Sequence, residues 1–179
     1  MRIAELKRES ESHVAQAAAL LAQAFPHSYA DCAREEVEAC LEEGKIALVA
    51  LDGDAVIGFV GAMPQYGLTG WELHPLVVEE ARRARGVGRA LCAGLERRLR
   101  QKGCLTVYLG TDDEFGKTSL ADADLFEDTF GKIEHIRNVR GHPYGFYQKI
   151  GYKIVGVIPD ANGLGKPDII MAKSLARGE

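Results

Sequence analysis

The sequence predicts an α+β fold in a single domain that spans residues 1–179. Apolar residues recur at helical spacing near the N-terminus and again after residue 86, and short apolar runs with turn signals lie between these two stretches. The length suits one domain, since domains usually run about 100–200 residues. The chain also contains no internal repeat and no linker rich in proline and serine.

Two helices are predicted in the first third of the chain. Ser12 can cap the first helix, whose apolar residues share one face, and Pro26 and the polar stretch after it end that helix. A second helix is predicted from about Asp31 to near Gly44, because glycine favours a helix end.

Strands are predicted where the spacing of apolar residues changes. The segments 46–51 and 55–63 flank an Asp52-Gly53 turn and form a hairpin, and 71–78 is a further strand. Residues 86–102 return to helical spacing, and a strand follows at 105–109.

The C-terminal part is predicted to be more irregular. One helix is expected around 120–130 within long loops, and a short helix is expected at 143–150, with proline in its first turn. Two strands, 152–158 and 168–173, complete the fold.

Composition narrows the class of protein. Apolar residues make up 46% and charged residues 27%, as in ordinary globular proteins. No apolar run reaches the ~20 residues of a membrane span, and the charged N-terminus is unlike a signal peptide. The four cysteines show no metal-binding or CxxC spacing, which predicts reduced thiols, no metal and a cytoplasmic location.

Charge is unevenly distributed along the chain. The net charge of −4 argues against nonspecific binding of nucleic acid. Residues 81–102 are rich in arginine and lysine, whereas residues 112–128 carry seven carboxylates against the single Lys117. This distribution suits an anionic cofactor and a cationic acceptor, and two unrelated solvated faces are the alternative.

A glycine-containing basic loop opens the helix predicted from residue 86. Glycine lets the backbone approach a ligand, the helix N-terminus offers amides to an anion, and arginine adds charge-assisted bonds to phosphate. The loop is neither a Walker A motif nor GxGxxG, and a solvated basic helix start is the alternative. Its residues are Arg83, Ala84, Arg85, Gly86, Val87, Gly88 and Arg89.

The preceding strand carries two polar side chains among apolar ones. By the period of two, one face presents Glu72, His74, Leu76 and Val78, and the other presents Leu73 and Val77. Proline cannot donate to a strand ladder, so Pro75 is expected to disrupt the pairing and expose backbone amides. Glu72 and His74 could relay a proton or hold a cation, or they could be surface groups beside a proline bend.

The short helix at 143–150 is rich in aromatic residues. Phe146 and Ile150 are predicted to form its buried pair, which leaves Tyr147 on a different face.

The segments WELHPLVV, RARGVG and FYQKIGYK resemble, in order and spacing, the GCN5-related N-acetyltransferase (GNAT) superfamily. The resemblance implies that RARGVG binds the pyrophosphate of CoA and that Tyr147 stands near its thiol. It also assigns Leu76, Val77 and Val78 to cofactor binding.

Longer segments resemble one group within that superfamily. GFVGAMPQYGLTGWELHPLVVE, TVYLGTDDE and HPYGFYQKIGYKIVGVIPDANG are similar to the aminoglycoside 6'-N-acetyltransferases of the chromosomal enterococcal type. The resemblance implies a mixed sheet with splayed central strands, acetyl-CoA bound in the gap, a homodimer and antibiotic resistance. Phe25 stands where this group favours tryptophan, in a stretch expected to border the acceptor.

These residues support direct attack of an amine on the acetyl thioester. Glu72, with His74 acting through water, is expected to position the ammonium and accept its proton, and the N–H of Leu76 is expected to stabilise the oxyanion. Tyr147 is expected to protonate the thiolate, since a phenol (pKa about 10) stays protonated near a thiol of about 8.5. Cys92 has no evident base, so a covalent acetyl-cysteine is not expected.

The acceptor is predicted to be a polycationic aminosugar bound by carboxylates and a stacked ring. Asp112 and Glu72 would attract its ammonium groups, and Tyr66 and Phe25 would line its site. Other amines (polyamines, metabolites, protein lysines or N-termini) are an alternative. A non-catalytic acyl-CoA-binding module is another, although the presence of Glu72, His74 and Tyr147 favours an enzyme.

Overall fold

The computed structural model describes residues 1–177 of the chain. The chain forms two compact units, one comprising residues 1–107 and 175–177, and the other comprising Tyr108–Ser174. The strands follow one another in a seven-stranded mixed sheet in the order β1-β2-β3-β4-β5-β7-β6, with the bounds given below. The predicted α+β class with a mixed sheet flanked by helices is confirmed.

The first unit begins with a strand that the sequence did not predict. β1 (Arg2–Glu5) is short and charged, and it pairs antiparallel with β2 (Ile46–Asp52). β2 is buried along almost its whole length and continues through the turn at Gly53, which has a φ of +62°, into β3 (Ala55–Tyr66). β3 then pairs antiparallel with β4 (Gly70–Val78), so the predicted hairpin and the strand after it are confirmed.

Three helices of the first unit pack beside these strands. α1 (Glu11–Ala24) buries its apolar face against β3 and α3 (Ala33–Ala39). Pro26 ends α1 as predicted, and it also begins a short helix that the sequence did not predict, α2 (Pro26–Tyr29), because proline at a first helical position needs no amide hydrogen bond. The second helix was predicted from about Asp31 to near Gly44, but α3 covers only Ala33–Ala39, so the prediction is too long at both ends.

The pairing of β3 with β4 contains an irregularity at the predicted place. Val60 pairs with Leu76 and Ala62 pairs with Leu73, so Gly61 lies opposite His74 and Pro75. A Cβ at Gly61 would lie 2.5 Å from the carbonyl oxygen of His74. The prediction that Pro75 disrupts the ladder is therefore confirmed.

β4 also shows the predicted alternation of its two faces. The side chains of Leu73 and Val77 are buried, whereas those of Glu72 and His74 are partly exposed. After β4, a 3-10 turn (Glu80–Arg82) leads to α4 (Val87–Gln101), whose apolar face packs on β2, β3 and β4.

The second unit contains most of β5 (Thr106–Asp112), two short helices and the last two strands. β6 (Lys153–Ile158) and β7 (Asp168–Ser174) form an antiparallel pair. The helix predicted at 120–130 is wrong: α5 occupies Thr129–Glu134 instead. The buried carboxylate of Asp113 accepts hydrogen bonds from the backbone N–H groups of Lys117 (2.6 Å) and Thr118 (2.8 Å), which fixes the loop before this stretch. Within the stretch, the N–H of Asp122 donates to the carbonyl of Gly165 (3.0 Å) and not to a helical partner.

The helix α6 (Tyr144–Lys149) buries a different face from the predicted one. Tyr144 and Tyr147 are buried, whereas Phe146 and Ile150 remain partly exposed. The ring of Tyr147 packs edge-on against that of Tyr152, with 5.6 Å between centroids. The helix also packs against β7, and the helical spacing alone does not show which face these contacts bury.

We expect Gly61→Ala to lower the free energy of unfolding by about 1–3 kcal/mol, because the added methyl would displace the His74 carbonyl and the buried side chain of Cys40. Gly156→Ala in β6 is the matched control, since a Cβ there meets nothing within 4 Å, and its effect should stay within about 0.5 kcal/mol. Urea denaturation measures both. Equal stability of the two variants would contradict the close approach at Gly61.

Candidate active site

The loop between β4 and α4 has the backbone geometry of an anion site. Ala84 has a φ of +59°, and Gly86, the residue before α4, has a φ of +84°. The first hydrogen bond of α4 runs from the N–H of Ala90 to the carbonyl of Gly86 (3.0 Å). Backbone N–H groups that precede this bond have no partner within the helix, so the N-terminus of α4 presents donors to a ligand.

Arginine side chains surround this helix N-terminus. Arg85 and Arg89 are exposed, and the Nε–H of Arg83 donates to the carbonyl of Val78 at 3.3 Å, which ties the loop to the end of β4. The positive end of the helix dipole and the guanidinium groups act in the same direction. The loop therefore fits the diphosphate of an anionic cofactor.

The two polar side chains of β4 have separate partners. A carboxylate oxygen of Glu72 accepts a hydrogen bond from the Gln65 side chain (2.8 Å). The Nε2 atom of His74 lies 2.8 Å from the hydroxyl oxygen of Tyr29 and 3.7 Å from a carboxylate oxygen of Glu36. Each group keeps part of its surface open to solvent, and the side chain of His74 is 44% exposed.

The partners of His74 were missed by the sequence analysis. Tyr29 ends α2 and Glu36 lies in α3, 45 and 38 residues before His74 in the chain. The spacing of apolar residues carries no signal for such a contact, since it reports which face of a helix is buried and not what the polar edge touches.

The two aromatic residues predicted to line the acceptor site are exposed side chains of the first unit. Tyr66, at the end of β3, is 73% exposed, and Phe25, between α1 and α2, is 42% exposed. The ring of Phe25 lies edge-on to that of Tyr29, with 6.1 Å between centroids.

In the second unit, Asp112 ends β5 with an exposed carboxylate, which accepts a hydrogen bond from the side chain of Asn162 (2.5 Å). Its carbonyl lies 3.0 Å from Nε2 of His142, whose Nδ1 lies 3.2 Å from the N–H of Tyr144. The contact with Tyr144 makes Nδ1 an acceptor, so Nε2–H donates to Asp112. Burial lowers the pKa of His142, which keeps the ring neutral.

The acidic segment is not a uniform cation-binding surface. Asp113, the neighbour of Asp112, is 1% exposed, and its carboxylate accepts hydrogen bonds from two backbone N–H groups of the loop. A cavity of about 380 Å³ beside it is lined by residues of both charges, including Glu114, Arg140 and Lys166. Asp112 is therefore better placed than Asp113 to meet a cationic ligand.

Three of the four cysteines are poorly placed to act as nucleophiles, whereas Cys32 is exposed. Cys40, Cys92 and Cys104 are buried. Burial raises the pKa of Cys40 to about 12 and raises the pKa of Cys104. These properties favour direct transfer over a covalent acetyl-cysteine.

The described residues contain neither a metal-binding cluster nor a membrane-spanning helix. Within residues 1–177, no three His, Cys, Asp or Glu side chains come together in a way that could hold a metal ion. None of the helices described for this chain has the length and apolar character needed to cross a bilayer.

Comparison with known proteins assigns the class. The sequence profile of the Acetyltransferase (GNAT) family matches residues 14–131. The chain belongs to this family and is an N-acetyltransferase, with acetyl-CoA as the acetyl donor. No curated protein sequence matched the chain.

Solved structures give a closer comparison. The chain is 49% identical to an aminoglycoside 6'-N-acetyltransferase complexed with coenzyme A, with a TM-score of 0.97 over 100% of this chain and 99% of that one. The enzyme from Enterococcus faecium is 48% identical with a TM-score of 0.95, at the same coverage. Aminoglycoside 6'-acetyltransferase type Ii is 42% identical with a TM-score of 0.79, and the match covers both chains completely.

We expect Gly88→Glu to abolish CoA binding, because a carboxylate at the N-terminus of α4 would repel phosphate without opposing the helix. Arg83→Ala should weaken binding about tenfold, through loss of one charge-assisted bond. Isothermal titration with CoA measures both, and Arg97→Ala, an exposed position farther along α4, is the control. Wild-type affinity in both loop variants would show that phosphate binds elsewhere.

Proposed function

We propose that this enzyme transfers acetyl from acetyl-CoA to the 6'-amine of aminoglycosides. The observation that carries the proposal is the full-length similarity to three aminoglycoside 6'-acetylating enzymes at 42–49% identity. The polar groups of β4 are consistent with it, because Glu72 and His74 are open to solvent and can meet a cationic amine. Antibiotic resistance would follow from this activity.

Glu72 and His74 are proposed to prepare the amine. An alkyl ammonium must lose a proton before its nitrogen can attack a thioester. Glu72 would bind the ammonium by charge, and His74, through water, would receive the proton. The N–H of Leu76 would then donate to the oxygen of the attacked carbonyl as negative charge develops there.

Tyr147 is proposed to return a proton to the leaving thiolate. The proposal rests on the resemblance of FYQKIGYK to the superfamily. The ring is held between those of Phe146 and Tyr152, at 5.1 Å and 5.6 Å between centroids, so its orientation is restricted. A restricted donor loses little entropy when it meets its acceptor.

The acceptor is proposed to contact Phe25, Tyr66, Glu72 and Asp112. Aromatic faces suit the apolar surface of a sugar ring, and carboxylates suit its ammonium groups. Both aromatic side chains are exposed, as is the carboxylate of Asp112. A homodimer and a cytoplasmic location are further proposals, the first resting on the resemblance and the second on the free thiols.

Turnover with different amines tests the proposed acceptor. We expect release of free CoA with kanamycin-type aminoglycosides at a kcat/KM at least about 100-fold above that with spermidine or a lysine-rich peptide, since a few well-placed polar contacts discriminate by this order. Mass spectrometry of the product should show one added acetyl group, and NMR should place it on the 6'-nitrogen.

Two results would overturn the proposal. Faster turnover of spermidine or the peptide would assign a different acceptor to the same chemistry. Tight CoA binding without turnover of any of the three amines would indicate a binding module. An aminoglycoside without a 6'-amine is the matched control and should not be acetylated at that position.

A further inference from the structure

Three elements of the first unit bring a tyrosine and a carboxylate to one nitrogen of His74. Tyr29 ends α2, Glu36 lies in α3 and His74 lies in β4. Both contacts, at 2.8 Å and 3.7 Å, are made by Nε2. The rest of the His74 side chain stays open, since 44% of it is exposed.

The chemistry of the two partners determines where the ring carries its proton. An ionised carboxylate can only accept a hydrogen bond, so Glu36 favours a proton on the nitrogen that faces it. A phenol oxygen can accept as well, so Nε2–H can donate to Tyr29 over 2.8 Å. Neutral imidazole carries one N–H, which leaves the lone pair on Nδ1.

We propose that Tyr29 and Glu36 are positioning residues that hold His74 in the Nε2–H form, so that Nδ1 can take the proton of the substrate ammonium. This inference rests on the role proposed above for His74. In the step, the N–H bond of the ammonium breaks and an Nδ1–H bond forms, directly or through one water. The products are a neutral amine, whose lone pair can attack, and an imidazolium ion.

The charge of Glu36 has a second consequence for this step. The imidazolium carries a positive charge that its neutral form lacks, and the carboxylate of Glu36 stands 3.7 Å from Nε2. The side chain of Glu36 is only 26% exposed, so the attraction is less screened than on an open surface. Glu36 therefore stabilises the ring after proton transfer, and Tyr29 fixes its angle.

The test compares Tyr29→Phe and Glu36→Gln in the parent and in a His74→Ala background. In the parent, each substitution should lower kcat about 3- to 10-fold, the loss expected for one hydrogen bond or charge contact, and leave the KM for acetyl-CoA unchanged. In the His74→Ala background, neither should lower kcat further by more than about 1.5-fold, because groups that act through one residue are not additive.

The matched control is Glu35→Gln, which removes a carboxylate from an exposed position of the same helix and should leave kcat at the parental value. Thermal unfolding of each variant shows whether the fold is intact. Phenylalanine at position 29 keeps the edge-on contact with Phe25, so Tyr29→Phe removes the hydroxyl and little else.

The outcomes separate this inference from the proposed function. If His74→Ala lowers kcat while Tyr29→Phe and Glu36→Gln retain parental turnover, the positioning role is wrong and the catalytic role of His74 stands. If the two variants lower kcat equally in both backgrounds, they act independently of His74 and the inference is also wrong. If His74→Ala retains parental turnover, the role of His74 and the positioning role both fail, although acetyl transfer itself is untouched.

Discussion

The carbonyl oxygen of His74 occupies the space in which a side chain at residue 61 would begin. Because residue 61 is glycine, β3 and β4 can lie close together at the irregularity in their pairing, where the partner in β4 changes from Leu76 to Leu73. The residues of β4 that we propose for the site lie at or near this step. His74 lies at the step itself, and farther along β4 the carbonyl of Val78 accepts a hydrogen bond from Arg83 of the loop proposed to bind phosphate. A local packing constraint thus links the proposed proton acceptor to the loop that fits a diphosphate.

Much of the first unit could be predicted because its signals are local. The alternation along β4, the Asp52-Gly53 turn and the spacing of leucines in α4 each reflect a face that is buried over several residues. Pro75 marked the irregular pairing, because a residue without an N–H cannot sit in a regular ladder. The glycine-containing start of α4 was also predictable, since a glycine at positive φ before a helix leaves a recognisable motif, and its binding of phosphate stays a prediction.

The wrong predictions concern segments whose backbone groups bond outside the segment, or whose packing is determined by residues elsewhere in the chain. In the stretch 120–130, the N–H of Asp122 donates to the carbonyl of Gly165 and not to a helical partner, so the expected helix does not form there. The buried face of α6 contacts Tyr152, and the helix also packs against β7, so nothing within that helix shows which face is buried. The cluster of Tyr29, Glu36 and His74 joins three elements through polar contacts. The pattern of apolar residues does not indicate such contacts.

We propose that acetyl passes directly from the donor to the amine, and the burial of three of the four thiols supports this claim. Initial velocities measured while both acetyl-CoA and the aminoglycoside are varied test the claim most directly. A single complex of enzyme and both substrates gives intersecting double-reciprocal lines. Parallel lines, together with an acetylated protein detected by mass spectrometry in the absence of amine, would indicate a covalent intermediate and contradict direct transfer.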